Sequence, residues 1–198
     1  MSDESLLQQF DRFQSDVVLE TSDHALSTLA SMVQSGSVDM SPQFQRRDRW
    51  DIKKQSQLVE SFILNMPVPP IYLAEGSRGR YDVIDGKQRL TAISLYLAGG
   101  FALRHLERFP ELAGKRFTEL PPDIQGTLNF RPLRTVTLLR QSSPSAKYEV
   151  FHRLNSGGQV LNAQEIRNVL FRGPLNDVIY MLGEHPFLRQ QLKISSPR

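Results

Sequence analysis

The chain has 198 residues and a mass of 22.6 kDa, enough for one domain with a sizeable core or for a domain with a helical appendage. Hydrophobic residues make up 39% and charged residues 23%; that balance excludes a wholly disordered or fibrous chain, and no apolar run reaches the roughly 18–20 residues needed to span a bilayer. There is no cysteine, so a disulfide framework, a thiolate zinc site and a cysteine nucleophile are excluded. No basic-then-apolar leader is visible, and a cytoplasmic location is expected. The net charge of +3 is too small a surplus to mark a nucleic-acid footprint. The arginines nevertheless cluster, at Arg46, Arg47 and Arg49, at Arg78 and Arg80, and at Arg131 and Arg134. Their planar donor forks suit phosphates and carboxylates.

Apolar residues stud the start of the chain at Leu6, Leu7, Phe10, Phe13, Val17 and Val18, and again at Leu26, Leu29, Ala30, Met32 and Val33. The second set, behind Thr21, Ser22 and Asp23, predicts a capped helix over 22–35 that stops at Gly36. Residues 36–40 read as a short strand. Leu58, Val59, Phe62 and Ile63 predict a helix over 53–65, stopped by Pro67. Residues 71–74 and 80–84 read as a β-hairpin across a Gly- and Ser-rich turn. Asp85-Gly86 breaks the second strand, and 88–98 reads as a helix ending at Gly99-Gly100. Further on, 101–103 and 115–117 read as short strands, 122–130 as a helix opened by prolines, 133–139 as a strand and 145–154 as a helix. Helices are expected at 163–171 and 175–182, beyond the loop Ser156-Gly157-Gly158. Helices, a strand-rich middle and more helices make an α+β chain. Its expected divisions are an N-terminal segment 1–21, a core 22–143 and a helical C-terminal part 144–198.

The sharpest chemical feature is Ile84-Asp85-Gly86-Lys87-Gln88-Arg89-Leu90. A strand precedes it, glycine turns it and a helix follows. Glycine there lets the backbone bend and approach a ligand. The first helical turn offers unpaired N–H groups and a partial positive charge, suited to phosphate. Lys87, Gln88 and Arg89 add side-chain donors, and Asp85 can hold a metal ion, orient water or fix a basic neighbour. Taken alone, the pattern fits an ordinary Asp-Gly turn and a polar first helical turn equally well. Neither G-x-x-x-x-G-K-[ST] nor G-x-G-x-x-G occurs.

Two further blocks stand out. Phe44-Gln45-Arg46-Arg47-Asp48-Arg49-Trp50 sets three arginines beside the single tryptophan. It reads either as a clamp for a nucleotide or nucleic-acid backbone, or as a solvated loop with Trp50 as a core anchor. In the block Phe151 to Glu165, Asn155 sits where a helix meets a glycine loop. Asn162 and Glu165 have the spacing of a helix-capping pair. The four histidines are scattered, and no serine has a G-x-S-x-G setting. Zinc-hydrolase and serine-hydrolase chemistry therefore have no support, and no metal site is expected within the chain.

In this order and spacing the blocks resemble the N-terminal domain family of GmrSD-type modification-dependent restriction proteins, over roughly residues 24 to 172. The family's D-G-Q-Q-R-L motif stands here as Asp85 to Leu90. Its Q-R…W element matches Gln45-Arg46 and Trp50, its proline-rich segment matches Ser61 to Tyr72, and its F-x-x-L-N-x-G-G element matches Phe151 through Glu165. The resemblance implies a ParB/sulfiredoxin-like fold: a small mixed sheet with flanking helices, whose G-x-x-R core, here Gly86 to Arg89, binds nucleotide phosphates. It further implies binding of an NTP, GTP or ATP, with Mg2+ and with hydrolysis left open, in a DNA-targeting phage-defence system whose HNH nuclease lies outside this chain.

On that reading Asp85 and Gln88 are candidate catalytic residues. Gly86, Lys87, Arg89, Arg46 and Asn155 are candidate nucleotide ligands. Partners are the nucleotide and, further out, DNA, a nuclease domain or chain, and a second copy. Lys87 departs from the family's Gln. Lysine anchors phosphate better but accepts no hydrogen bond, so binding is expected to outlast hydrolysis. The alternative from another class is a DNA-binding or protein-interaction module in which the D-G-K-Q-R turn is only structural.

Overall fold

The hairpin at the centre of the sheet organises everything around it. A computed structural model describes residues 3–40, 50–76 and 79–154, with 178, 181, 182, 185 and 187 beyond them. In chain order these form α1 (Asp3–Asp16), β1 (Leu19–Ala25), α2 (Leu26–Gln34), β2 (Val38–Asp39), α3 (Ile52–Ile63), β3 (Ile71–Glu75), β4 (Tyr81–Asp85), α4 (Lys87–Leu97), α5 (Pro122–Phe130), β5 (Pro132–Leu138) and α6 (Pro144–Leu154). The five strands make one mixed sheet in the order β1-β5-β3-β4-β2. The pairs β1–β5 and β3–β4 are antiparallel, whereas β3–β5 and β2–β4 are parallel. The chain is thus α+β. No helix among the described residues is long and apolar enough to cross a membrane.

Strand alternation divides the side chains between two faces. Ile71 and Leu73 of β3 join the main core, where Leu29, Phe62, Leu90 and Leu103 are also buried. Ala74 and Ile84 face the other way and pack with Leu138 and with Phe151 of α6. Trp50 is partly buried against the main core. β1 spans residues 21 and 22, and α6 begins at Pro144 and packs against β4.

Two expectations are corrected. Residues 22–25 are strand, not helix, and α2 begins at Leu26 behind Ala25, which makes no side-chain cap. A capping side chain contributes about 1 kcal/mol, whereas β1 gains a seven-residue antiparallel register from Leu19↔Leu138 to Ala25↔Pro132. Asp23, read as part of a cap, instead accepts two hydrogen bonds from Arg134 across the strands, both at 3.0 Å. Residues 101–103 and 115–117 are not strands. They meet through Leu103 N donating to Lys115 O at 3.0 Å and Gly114 N donating to Leu103 O at 2.8 Å. Neither joins the sheet, and Phe117 opens a 3-10 turn, Phe117–Glu119. The expected helices at 163–171 and 175–182 lie outside the described residues, apart from 178, 181 and 182.

Glu60 holds the irregular segment that follows α4. It is buried on α3, and its carboxylate accepts backbone N–H groups from Glu107 at 3.1 Å, Arg108 at 2.7 Å and Phe109 at 3.1 Å. Burial alone would raise its pKa; the three donors outweigh that and hold it below the usual 4.5. The charged form is therefore favoured in the folded state. Its stabilisation is complete above the unfolded value and is lost as pH falls below it. Glu60→Ala should cost about 3 kcal/mol at pH 7, because it leaves three partly buried backbone donors without their acceptor. The gap between variant and parent melting temperatures should shrink from pH 7 to pH 4. Equal gaps at both pH values would refute the assignment.

Candidate functional site

The strand-turn-helix expected at 84–90 is present. β4 ends at Asp85, Gly86 takes a left-handed backbone (φ 95°, ψ 11°), and α4 begins at once with Lys87. Gly86, at the cap position of α4, contributes no side-chain hydrogen bond. A Cβ at position 86 would stand 2.5 Å from Ile71 Cδ1 and 3.1 Å from Arg89 Nη2. Glycine is required here twice, by conformation and by space.

Arg89, one turn into α4, folds back over the turn. Its Nη2 donates to Asp85 Oδ2 at 2.9 Å and to the Pro70 carbonyl at 3.1 Å. The guanidinium is well covered, with its side chain 14% exposed, whereas Asp85 keeps 46% of its side chain in solvent. Arg89 Nε is buried without a hydrogen-bond partner. Arg89 thus ties the start of β3, the end of β4 and the head of α4 together.

Lys87 is half-buried at the first position of α4. Burial lowers the pKa of its ammonium below the usual lysine value, and the carboxylate of Asp39 opposes that shift. Asp39 arrives through β2, whose register sets it beside Asp82 of β4. Gln88 Oε1 accepts the backbone N–H of Trp50 at 3.2 Å, and Gln55 Nε2 of α3 donates to the Trp50 carbonyl at 2.7 Å. Trp50 is therefore pinned on both sides, between α3 and the first turn of α4. It is the first described residue after the arginine-rich block.

Of the residues singled out in the sequence, Asp85, Gly86, Lys87, Gln88 and Arg89 are brought together. Arg46 and Asn155 lie outside the described residues, as do Asn162 and Glu165. Asp39 and Gln55 were not visible as site residues. The short strand at 36–40 was a partial signal for Asp39, but its parallel pairing to β4 has no local signature. Among the described residues no group of three or more His, Asp or Glu side chains is placed to hold a metal ion. The turn therefore sets a helix start with no cap side chain of its own and a half-buried ammonium next to one half-exposed carboxylate.

Gly86→Ala should destabilise the fold by about 2–3 kcal/mol, from left-handed strain and from collision with Ile71. Ile71→Val removes the colliding methyl. In the Gly86→Ala background it should cost less than it does alone, by about 1 kcal/mol. Denaturant unfolding of the four chains measures this coupling, and strict additivity would show that Ile71 does not define the turn.

A comparison with curated proteins found no match. The GmrSD restriction endonuclease, N-terminal domain family matches residues 26–172, a span that begins with α2 and contains β2, the turn at Gly86, β5 and α6. The match covers well over half of the chain, which therefore belongs to the GmrSD restriction endonuclease N-terminal domain family and with it to a DNA-targeting restriction system of phage defence.

Proposed function

We propose that this chain is the nucleotide-binding regulatory domain of its restriction system, and that it controls DNA cleavage carried out by a separate nuclease domain or chain. The observation that carries this reading is the uncapped start of α4 at Gly86 with the half-buried Lys87 beside it. The helix start supplies N–H groups and a positive dipole end, and a partly desolvated ammonium attracts a phosphate more strongly than one in free water. Gly86 and Lys87 hold the phosphates. Arg89 acts largely as a positioning residue, because its Nη2 is engaged by Asp85 and Pro70. Gln88 positions Trp50, and Asp85 offers a carboxylate to a nucleotide-bound Mg2+, which keeps most of its waters. Arg46 and Asn155 are further ligands on this reading, and the nucleotide is GTP or ATP. A bound triphosphate supplies the energy of its γ-phosphate; the residues here bind it and orient it.

A second reading is favoured by one specific observation. Arg89 and Gln88 both spend hydrogen-bonding groups on internal partners, Asp85 with Pro70 and Trp50. If the turn is structural only, the chain is a DNA-binding or protein-interaction module, and DNA affinity with a steep salt dependence survives the loss of Lys87.

Calorimetry with GTP and ATP, each with and without magnesium, separates the two. Saturable binding of one of them is expected. Lys87→Ala should weaken it about ten- to a hundred-fold, as the loss of a charge-assisted contact does. Because the ammonium binds only when protonated and its pKa is lowered, affinity should fall in the alkaline range, at a pH below that at which an ordinary lysine loses its proton, and Lys87→Ala should abolish that dependence. Absence of any nucleotide binding would refute the proposal.

The purified chain should also leave modified and unmodified DNA intact with nucleotide and magnesium or manganese. A nuclease needs a metal or general base set beside a phosphodiester. Cleavage that disappears in Asp85→Ala would make this domain the nuclease.

A further inference from the structure

The sheet order leaves β1 at one edge and β2 at the other. β2 is only two residues long, whereas β1 runs for seven, Leu19–Ala25. Open edges are commonly blunted by lysine, proline, a bulge or a very short strand. β1 has none of these. Its sequence is Leu-Glu-Thr-Ser-Asp-His-Ala, and its register with β5 runs from Leu19↔Leu138 to Ala25↔Pro132 without a shift. Leu19, Glu20, Thr21 and Asp23 are exposed.

Hydrogen bonds at the two ends of the pair fix which residues face outward. Leu139 N donates to the Val18 carbonyl at 2.9 Å, and Leu26 N donates to the Arg131 carbonyl at 3.0 Å. Both join directly opposed residues on the same register, so alternate residues from Val18 to Leu26, Ser22 among them, turn their backbone groups toward β5. Thr135 Oγ1 donates to the Ser22 carbonyl at 3.1 Å, on that same side. Pro132, which has no N–H, stands opposite Ala25, a position of the other parity that asks for none. The N–H and C=O groups of Leu19, Thr21 and Asp23 therefore point away from the sheet, and among the described residues no strand lies beyond them.

This edge is complementary to itself. Laid antiparallel along its full length against a second copy, β1 has Ser22 on the two-fold axis. Thr21 then opposes Asp23 of the second copy, and their outward backbone groups exchange hydrogen bonds. Glu20 opposes His24 in a non-hydrogen-bonded pair, where side chains approach most closely, and carboxylate opposite imidazole is a favourable cross-strand pair. Asp23, the other acidic residue, is already paired within its own chain by two hydrogen bonds from Arg134. An axis at Asp23 would set that carboxylate against its own copy, and an axis at Thr21 would take His24 away from Glu20.

We infer that two copies of this chain join edge to edge through β1, antiparallel about Ser22, so that one sheet runs through both.

Sedimentation of the full chain at tens of micromolar should give a dimer. His24→Glu sets carboxylate against carboxylate at both ends of the contact, and should give a monomer with the parent's far-ultraviolet spectrum. Adding Glu20→Lys to that variant restores opposite charges and should restore the dimer. Cross-linking reads the register, because the chain has no native thiol. Opposed residues of a non-hydrogen-bonded pair stand about 4.5 Å apart at Cα, within disulfide reach. Under mild oxidation Ser22→Cys should therefore form a disulfide dimer, and Thr21→Cys should not. A monomeric parent would overturn the inference, as would a dimer that survives His24→Glu or one that Glu20→Lys fails to restore. Cross-linking of Thr21→Cys in place of Ser22→Cys, or of neither, would overturn it as well.

Discussion

Position 86 has no room for a side chain, and the arrangement around the turn depends on that. Ile71 closes on the Gly86 backbone from β3, and the Arg89 guanidinium closes on it from α4. The left-handed residue between them lets a strand end and a helix begin with no loop in between. The first turn of α4 therefore starts at the end of β4 itself. Arg89 makes the arrangement rigid, because one terminal nitrogen serves a strand carboxylate and the Pro70 carbonyl together. A covered guanidinium is stable only while both partners remain, since removing one leaves a desolvated charge poorly paired. Glycine, arginine and aspartate thus form one unit, in which each residue owes its identity to the other two.

That unit was legible in the sequence because it is local. Five consecutive residues carry it, and the apolar runs and the Pro and Gly punctuation on either side fix the strand before it and the helix after it. The same signals exposed α3, α5, β5 and the start of α6 near Pro144. β1 was not legible. An edge strand with one side in solvent needs few apolar residues, and Thr21-Ser22-Asp23 looks like a helix cap until β5 is placed beside it. Asp39 and Gln55 were hidden for a related reason. Asp39 reaches the site through a two-residue parallel pairing, and Gln55 reaches it only because α3 packs where Trp50 lands. Neither pairing leaves a periodic trace along the chain.

The two basic residues at the turn divide the work according to their chemistry. The planar fork of arginine suits fixed bridging between groups at set angles, and Arg89 does that. Lysine is a point charge on a flexible stem, and Lys87 sits at the helix start with Asp39 near enough to sustain its charge. Asp39 reaches this end of the sheet through the β2–β4 register, and its carboxylate partly offsets the effect of burial on Lys87. A glutamine at position 87 would carry no charge to answer that carboxylate.

β4 also joins the two faces of the molecule. Val83 packs against the main core, and Ile84, the next residue, packs against Phe151 of α6 in the second. Asp85 and Gly86 follow immediately. A change in backbone position at the turn is therefore two or three residues from α6. Contiguity alone does not make coupling; that requires α6 to have two positions whose balance the turn can bias. The packing favours α6 as the element to shift. Among the described residues its cluster contains four buried residues, Ala74, Ile84, Leu138 and Phe151, while α2, α3, α4 and α5 share the larger core on the opposite face. Among these residues, then, fewer buried contacts oppose a shift of α6 than a shift within the main core.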